Sequence, residues 1–204
     1  MRHALGVPFS QSIGQRYQIM SDTPSFQPGA GFAPQHLVVM GVAGCGKSSL
    51  AQAVSRHMDW RLHEGDDYHS PENVRKMRAG IALTDDDRAG WLQRLGQLLA
   101  AESGVVLTCS ALRRAYRDRL RAAAPDLRFA FMGLSEEAAR QRVAARPGHI
   151  FPVSLVASQF QTLEDPRGEP GVLALDALQP LDQLCQHVCD WLRQPTSQTQ
   201  APQA

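Results

Sequence analysis

The chain has 204 residues, of which 43% are hydrophobic and 20% are charged. This composition is typical of a globular chain that buries one good core, with room for one small mobile subdomain. The chain has 21 basic and 20 acidic residues, which gives a formal net charge of +1. This near-neutral charge argues against a nucleic-acid partner held by a basic face. No apolar run reaches the length of a membrane span or of a signal peptide core, so we expect neither membrane insertion nor secretion.

Residues 1–34 are rich in Ser, Gln, Pro and Gly and show no sustained periodicity, which predicts a flexible leader. Residues 195–204 are expected to form a flexible tail, so that one folded domain occupies residues 35–194. The four cysteines, Cys45, Cys109, Cys185 and Cys189, show no C-x-x-C and no paired histidine spacing. The sequence therefore suggests neither zinc nor a disulfide framework, and a reducing cytoplasm is the expected location.

The segment GVAGCGKS at 41–48 fits the pattern G-x-x-x-x-G-K-[ST] at every constrained position. An apolar run at 37–40 precedes it as a strand, and residues 48–58 follow with the apolar spacing of a helix. Glycines let successive backbone N–H groups point inward, and the start of the helix adds its positive dipole end, so the loop can cradle a polyphosphate. The predicted nucleotide contacts in this segment are Gly41, Val42, Ala43, Gly44, Cys45, Gly46, Lys47, Ser48 and Ser49.

Within this loop, Lys47 is predicted to act catalytically by reaching the β- and γ-phosphates, and Ser48 to ligate Mg²⁺. An ordinary glycine-rich turn is the plainest alternative. A Rossmann dinucleotide fingerprint is a second alternative, and it is disfavoured because Ser49 stands where that fingerprint needs its third glycine.

Strand and helix patterns alternate along the rest of the chain. We predict strands at 60–63, 104–110, 127–134 and 171–175, and helices at 68–80, 84–102, 113–124, 135–146, 153–164 and 181–192. Together with the strand at 37–40, this order predicts an α/β fold of three layers, with a five-stranded parallel sheet and helices on both of its faces. The polar character of 60–63 indicates an edge strand.

Ligands in such a fold gather at the carboxyl ends of the strands. The strand at 104–110 ends in Ser110 where a Walker B element would end in Asp, so the carboxylate for Mg²⁺ must come from elsewhere. Glu64 and Asp66 follow the strand at 60–63. We predict that Asp66 accepts the proton of an attacking hydroxyl and that Glu64 assists Ser48 in holding Mg²⁺ through water. A solvated acidic turn is the alternative.

Arg142 and Arg146 lie one helical turn apart, directly before a Pro-Gly break. We predict that they belong to a small lid, at about 142–165, that closes over the triphosphate and neutralises its charge. Ordinary ion pairs with Glu136 or Glu137 would also explain them. Several basic residues and histidines surround the expected acceptor pocket and suit a polyhydroxylated anion: His69, Arg75, Lys76, Arg88, Arg113, Arg114 and His149.

From residue 37 to residue 192 the sequence resembles the gluconokinases, small P-loop kinases related in fold to shikimate and adenylate kinases. The resemblance is carried by GVAGCGKSS (41–49), EGDDYHSPENVRKM (64–77), LTDDDRAGWL (83–92), CSALRRAYRDRLR (109–121), ARPGHIF (145–151) and SQFQTLEDP (158–166).

This resemblance implies a P-loop kinase domain that phosphorylates D-gluconate at its 6-hydroxyl with ATP and Mg²⁺, and a homodimer. By similarity, Asp66 is the proton acceptor and Arg142 and Arg146 are lid arginines. By similarity, Asp66, His69, Ser110 and Arg113 line the sugar-acid pocket. The predicted substrate-binding set also includes Arg88 and Gln159, two pattern positions of the family to which the resemblance gives no individual role. Glu64 stands where family members often carry Asp, and its longer side chain suits a metal contact through water.

Two alternatives remain beside this interpretation. The first is another small-metabolite kinase of shikimate type, which is disfavoured because that family has a glycine triplet where this chain has CSALRR. The second is a nucleotide-binding regulatory module without turnover, against which Lys47, Ser48 and Asp66 argue. A GTPase is disfavoured because the sequence contains no N-K-x-D.

Overall fold

Five strands pair in parallel to form the central sheet of the structure, a computed structural model that describes residues 36–145 and 152–194. The strands are β1 (Leu37–Met40), β2 (Arg61–Glu64), β3 (Val105–Cys109), β4 (Arg128–Gly133) and β5 (Val172–Asp176). They follow the order β2-β3-β1-β4-β5, and every neighbouring pair is parallel. The predicted α/β sheet and the edge position of the second strand are confirmed.

Helices cover both faces of this sheet and complete three layers. They are α1 (Lys47–Met58), α2 (Pro71–Arg78), α3 (Asp85–Ala101), α4 (Arg114–Ala123), α5 (Glu136–Ala144), α6 (Val156–Thr162) and α7 (Leu181–Arg193). Among the helices of the described residues, none is both long enough and apolar enough to cross a membrane. The predicted leader and tail, together with Arg146 and His149, lie outside the described residues.

The central strand β1 is buried on both faces, which is why its sequence is an unbroken apolar run. Leu37 and Val39 pack into one core with residues of α1, α5, α6 and α7. Val38 and Met40 point to the opposite face and pack with residues of α3 and α4. Because β1 is the middle strand, the loop that follows it lies at the centre of the carboxyl edge of the sheet, where ligands gather.

Polar caps fix where the helices near this edge begin. Thr84 and Asp87 form a capping box at the start of α3: Thr84 Oγ1 accepts from the Asp87 N–H at 3.2 Å, and the Asp87 carboxylate accepts from the Thr84 N–H at 2.9 Å. Helix α2 has Pro71 in its first turn after the N-cap Ser70, so it begins three residues later than the predicted helix at 68–80. These caps set the positions of α2 and α3 beside the carboxyl end of β2.

Candidate active site

The glycine loop joins β1 to α1 in the conformation that its sequence requires. Gly44 and Gly46 have φ values of 80° and 99°, in the left-handed region that side chains disfavour. A Cβ on Gly41 would lie 2.9 Å from the Met132 carbonyl oxygen and from Cys45 Sγ, so the loop has no room for a side chain where it leaves β1. Helix α1 begins at Lys47, so its unpaired N–H groups and dipole face the loop.

Two side chains make hydrogen bonds to the backbone of this loop. Lys47 Nζ donates to the carbonyl oxygens of Gly41, at 3.2 Å, and Val42, at 3.0 Å. Gln159 Oε1, from α6, accepts from the N–H of Ala43 at 2.6 Å. The second bond ties a helix of the predicted lid segment directly to the phosphate-binding loop. Gln159 was predicted in the substrate pocket, and the structure places it where it contacts the loop as well.

Ser48 and Glu64, the two predicted magnesium ligands, lie in contact. Ser48 Oγ donates to Glu64 Oε2 at 3.0 Å, and Thr108 Oγ1 donates to the same carboxylate oxygen at 2.6 Å. Thr108 Oγ1 also accepts from the N–H of Gly65 at 3.1 Å. The donor set is made of a hydroxyl and a carboxylate, the hard oxygen ligands that Mg²⁺ prefers, so the residues present fit this ion.

Sequence reasoning missed Thr108, although one signal was available. Strand β3 reads VVLTC and is buried along its whole length, and Thr108 is its single hydroxyl residue. A buried hydroxyl needs hydrogen-bond partners, and here those partners are the neighbouring strand end at Glu64 and Gly65. Thr108 thus fixes the position of Glu64, the carboxylate predicted to replace the Walker B aspartate.

The turn that follows β2 carries the predicted proton acceptor. Asp66 is exposed and belongs to a 3₁₀ turn, Gly65–Tyr68. The Trp91 indole N–H donates to the Gly65 carbonyl oxygen at 2.7 Å, and the His69 ring stacks on the Trp91 ring with centroids 4.4 Å apart. Trp91 lies in the helix predicted at 84–102, and nothing in the sequence indicated this contact.

Burial lowers the pKa of His69 to about 4, against an opposing effect of the nearby Asp66 carboxylate. At neutral pH the imidazole is therefore uncharged and can both donate and accept a hydrogen bond. His69 therefore brings no positive charge of its own to the turn that carries Asp66.

One cavity brings these groups together at the carboxyl edge of the sheet. It contains five of the six predicted substrate-binding residues, and Arg88 in it donates to the Leu83 carbonyl oxygen at 2.5 Å. Its wall is formed by Ala43, Gly44, Gly46, Lys47, Ser48, Glu64, Asp66, His69, Met77, Ala82, Leu83, Arg88, Trp91, Thr108, Ser110, Leu155, Ser158 and Gln159.

Arg113 is the predicted substrate residue that does not line this cavity. Its guanidinium donates to the Asp85 carboxylate at 2.6 Å, and the Tyr116 hydroxyl donates to the same carboxylate. Lys76 is likewise paired, with Asp87 at 2.7 Å, and this bond, together with those from Thr84, lowers the pKa of Asp87 to about 2. These pairs hold α2, α3 and α4 around the cavity.

Of the two predicted lid arginines, Arg142 is within the described residues and lies beside the glycine loop. A Cβ added to Gly44 would lie 3.4 Å from Arg142 Cβ, while Arg142 Nη2 donates to the Ala177 carbonyl oxygen at 3.1 Å. Helix α5 therefore packs against the loop with this guanidinium directed to the backbone after β5.

Ser110 sits at a constrained point where β3 ends. The next residue, Ala111, is fully buried with a φ of 45°, a left-handed conformation that costs a non-glycine residue about 1–2 kcal/mol. The Ser110 carbonyl oxygen accepts from the N–H of Gly41 at 3.3 Å. The strained turn thus joins the end of β3 to the start of the glycine loop.

One cavity is lined by a glycine loop at the start of a helix, by an oxygen ligand pair and by a further carboxylate. These features define a small-molecule kinase of the P-loop class. A family model described as an AAA domain matches residues 37–169. The gluconokinase of Gluconobacter oxydans is 42% identical over 147 residues, which cover 70% of this chain and 83% of that protein. The chain belongs to the gluconokinase family.

Solved structures agree with this assignment. A gluconokinase from Sinorhizobium meliloti 1021 is 48% identical, with a TM-score of 0.72, over 78% of this chain and 91% of that one. The shikimate kinase of Aquifex aeolicus vf5 is 18% identical, with a TM-score of 0.52, over 77% of this chain and 95% of that one. The second likeness concerns the fold alone.

Proposed function

We propose that the protein transfers the γ-phosphoryl group of ATP to the 6-hydroxyl of D-gluconate, giving 6-phospho-D-gluconate and ADP. The observation that carries this proposal is the shared cavity, on whose wall Lys47 of the loop, the Ser48–Glu64 pair and Asp66 all lie. Membership of the gluconokinase family supports the acceptor. Neither the cavity nor the family favours the shikimate-type alternative.

On the donor side, the loop N–H groups and the start of α1 bind the phosphates. The ammonium of Lys47, which lies on the loop carbonyls, supplies a positive charge for the β- and γ-phosphates. Ser48 and Glu64 would hold Mg²⁺, which neutralises charge on the phosphate oxygens when bound. Thr108 keeps the Glu64 carboxylate directed at Ser48 through its own hydrogen bond.

On the acceptor side, Asp66 takes the proton of the gluconate hydroxyl as its oxygen attacks the γ-phosphorus. The bond from phosphorus to the bridging oxygen breaks, and ADP leaves with the electron pair. His69 offers a neutral hydrogen-bonding group to the sugar hydroxyls. Arg88 is the arginine on the described cavity wall, and its charge suits the gluconate carboxylate.

A coupled assay for ADP, with gluconate, shikimate and AMP offered separately, tests the proposal. Turnover is expected with gluconate alone, and phosphorus NMR of the product should show a phosphate ester on the terminal carbon. ATP binding without ADP release for every acceptor would instead favour the regulatory module. Turnover with shikimate would identify the other kinase.

Asp66→Asn tests the proton acceptor. General-base catalysis contributes about 10²–10⁴-fold, so kcat should fall by that factor while the affinity for ATP changes little. Asp67→Asn is the matched control, because Asp67 is its exposed neighbour and does not line the cavity. Near-normal turnover of Asp66→Asn would remove Asp66 from this role.

We also propose that residues 35–194 form the kinase domain, that about 142–165 form a lid, and that the protein works as a homodimer in the cytoplasm. The free state of all four cysteines and the position of Arg142 beside the loop support parts of this proposal. Deletion of residues 1–34 should leave activity intact, and light scattering should give twice the chain mass.

A further inference from the structure

A histidine and two cysteines meet away from the active site, where the end of α1 packs against α7. His57, Cys185 and Cys189 bring one ligand atom each to within 4.8 Å of one another. The two Sγ atoms are 4.0 Å apart, one helical turn from each other on α7. The kinase chemistry described above uses none of these three side chains.

The spacing is close to that of a tetrahedral metal site. With metal–sulfur bonds of about 2.3 Å and a metal–nitrogen bond of about 2.0 Å, two sulfur ligands lie about 3.8 Å apart and a sulfur and a nitrogen about 3.5 Å apart. The observed sulfur separation is 4.0 Å, so the pair needs little movement. The His57 side chain is exposed, and its rotation would bring a ring nitrogen to the sulfur–nitrogen distance of a tetrahedral site.

The surroundings of the cluster allow a cation to reach it. His57 is exposed and Cys185 half-buried, while Cys189 is fully buried beneath them. Arg193 Nη2 lies 2.9 Å from His57 Nε2 and can only donate, so this nitrogen carries a lone pair. The other terminal nitrogen of Arg193 lies 3.0 Å from the Asp190 carboxylate. The guanidinium can therefore stay paired with Asp190 when a metal ion takes its position at His57 Nε2.

We propose that His57, Cys185 and Cys189 form a binding site for one thiophilic d¹⁰ metal ion, of which Zn²⁺ is the probe. Sulfur ligands select soft and borderline ions, so Mg²⁺ does not compete for this site. Binding displaces one proton from each thiol to solvent, and water completes the fourth position. The bound ion would fasten the C-terminal end of α1, whose N-terminal end is the glycine loop, to α7.

The experiment uses the full-length chain, stripped of metal and kept reduced with a phosphine. Titration with Co²⁺ should give a sulfur-to-cobalt charge-transfer band at one equivalent, and Zn²⁺ should abolish it. Competition with a chromophoric chelator then measures the affinity for Zn²⁺. Cys185→Ser and His57→Asn should each weaken that affinity by about tenfold or more.

His187→Asn is the matched control, since His187 is an exposed histidine of the same helix outside the cluster, and its affinity should equal that of the parent. Zn²⁺ should also raise the melting temperature of the parent and not that of Cys185→Ser, whose folding is verified by circular dichroism. Absence of the charge-transfer band would overturn the proposal. So would an affinity in Cys185→Ser or His57→Asn equal to that of His187→Asn.

Discussion

Replacement of Thr108 by valine removes the hydroxyl that joins β3 to the end of β2 while it keeps the volume of the side chain. The hydroxyl donates to Glu64 Oε2 at 2.6 Å and accepts from the N–H of Gly65 at 3.1 Å. Thr108 is 3% exposed, so water cannot take over both bonds. We therefore expect Thr108→Val to destabilise the fold although valine is the more apolar residue.

The magnitude follows from the two bonds. Leaving the buried Gly65 N–H without an acceptor costs about 1–3 kcal/mol. The bond to Glu64 adds about 1 kcal/mol, since that carboxylate is half-buried and water replaces part of what it loses. The sum is about 2–4 kcal/mol, and each kcal/mol lowers the melting temperature by about 2–4 °C in a chain of this size.

Urea unfolding and thermal melts of the parent, Thr108→Val and Thr108→Ser measure this loss. Serine keeps both hydrogen bonds and gives up a buried methyl group, which costs about 1 kcal/mol. The valine variant should therefore be less stable than the serine variant, and it should need more Mg²⁺ for half-maximal activity. A valine variant as stable as the serine variant, with the same Mg²⁺ requirement, would refute the reasoning.

Three further predictions concern neighbouring residues. Gly65→Ala should lower the free energy of unfolding in urea by about 3 kcal/mol or more, because its Cβ would lie 2.1 Å from the Thr108 carbonyl oxygen. Gly90→Ala, in an open helical position, is the control and should not destabilise the fold. Equal stabilities of the two variants would contradict this prediction. Gln159→Leu should raise the KM for ATP and lower the melting temperature, because the Ala43 N–H loses its acceptor, while Gln159→Glu keeps one and should restore both. The free energy of unfolding should fall as the pH drops from 6.5 towards 4, because in this range the unfolded chain binds a proton at His69 and the folded chain does not. His69→Asn should make the free energy of unfolding depend less on pH in that range. An unchanged slope in this variant would contradict the lowered pKa of His69.

Much of the fold could be predicted because its signals are local. A few consecutive residues are enough to specify the glycine loop, the buried run of β1 and the helix caps at Thr84 and Ser135. The structure contains all of these features. The alternation of strands and helices then restricts the topology to a parallel sheet. The resemblance to gluconokinases added the acceptor, which no local pattern specifies.

The parts that escaped prediction depend on contacts between distant segments. The role of Thr108 exists because β3 lies between β1 and β2 in the sheet, which the sequence does not state. Arg113 was assigned to the substrate set by resemblance, and its hydrogen bond to Asp85 depends on the position of α3, which the sequence does not state. His57 joins Cys185 and Cys189 only through the packing of α1 on α7, so no cysteine spacing could indicate the cluster.

The Gly65 peptide has a consequence for changing the substrate of this enzyme. Thr108 Oγ1 accepts from the Gly65 N–H and the Trp91 indole donates to the Gly65 carbonyl oxygen, so this one residue fixes the end of β2 relative to both β3 and α3. A variant whose segment between β2 and α3 is replaced in order to bind another acceptor would need to keep Gly65, Trp91 and Thr108, because these three residues hold that segment in place. Asp66, the proposed proton acceptor, would have to stay as well, and the other side chains of that segment are the ones to vary for a new acceptor.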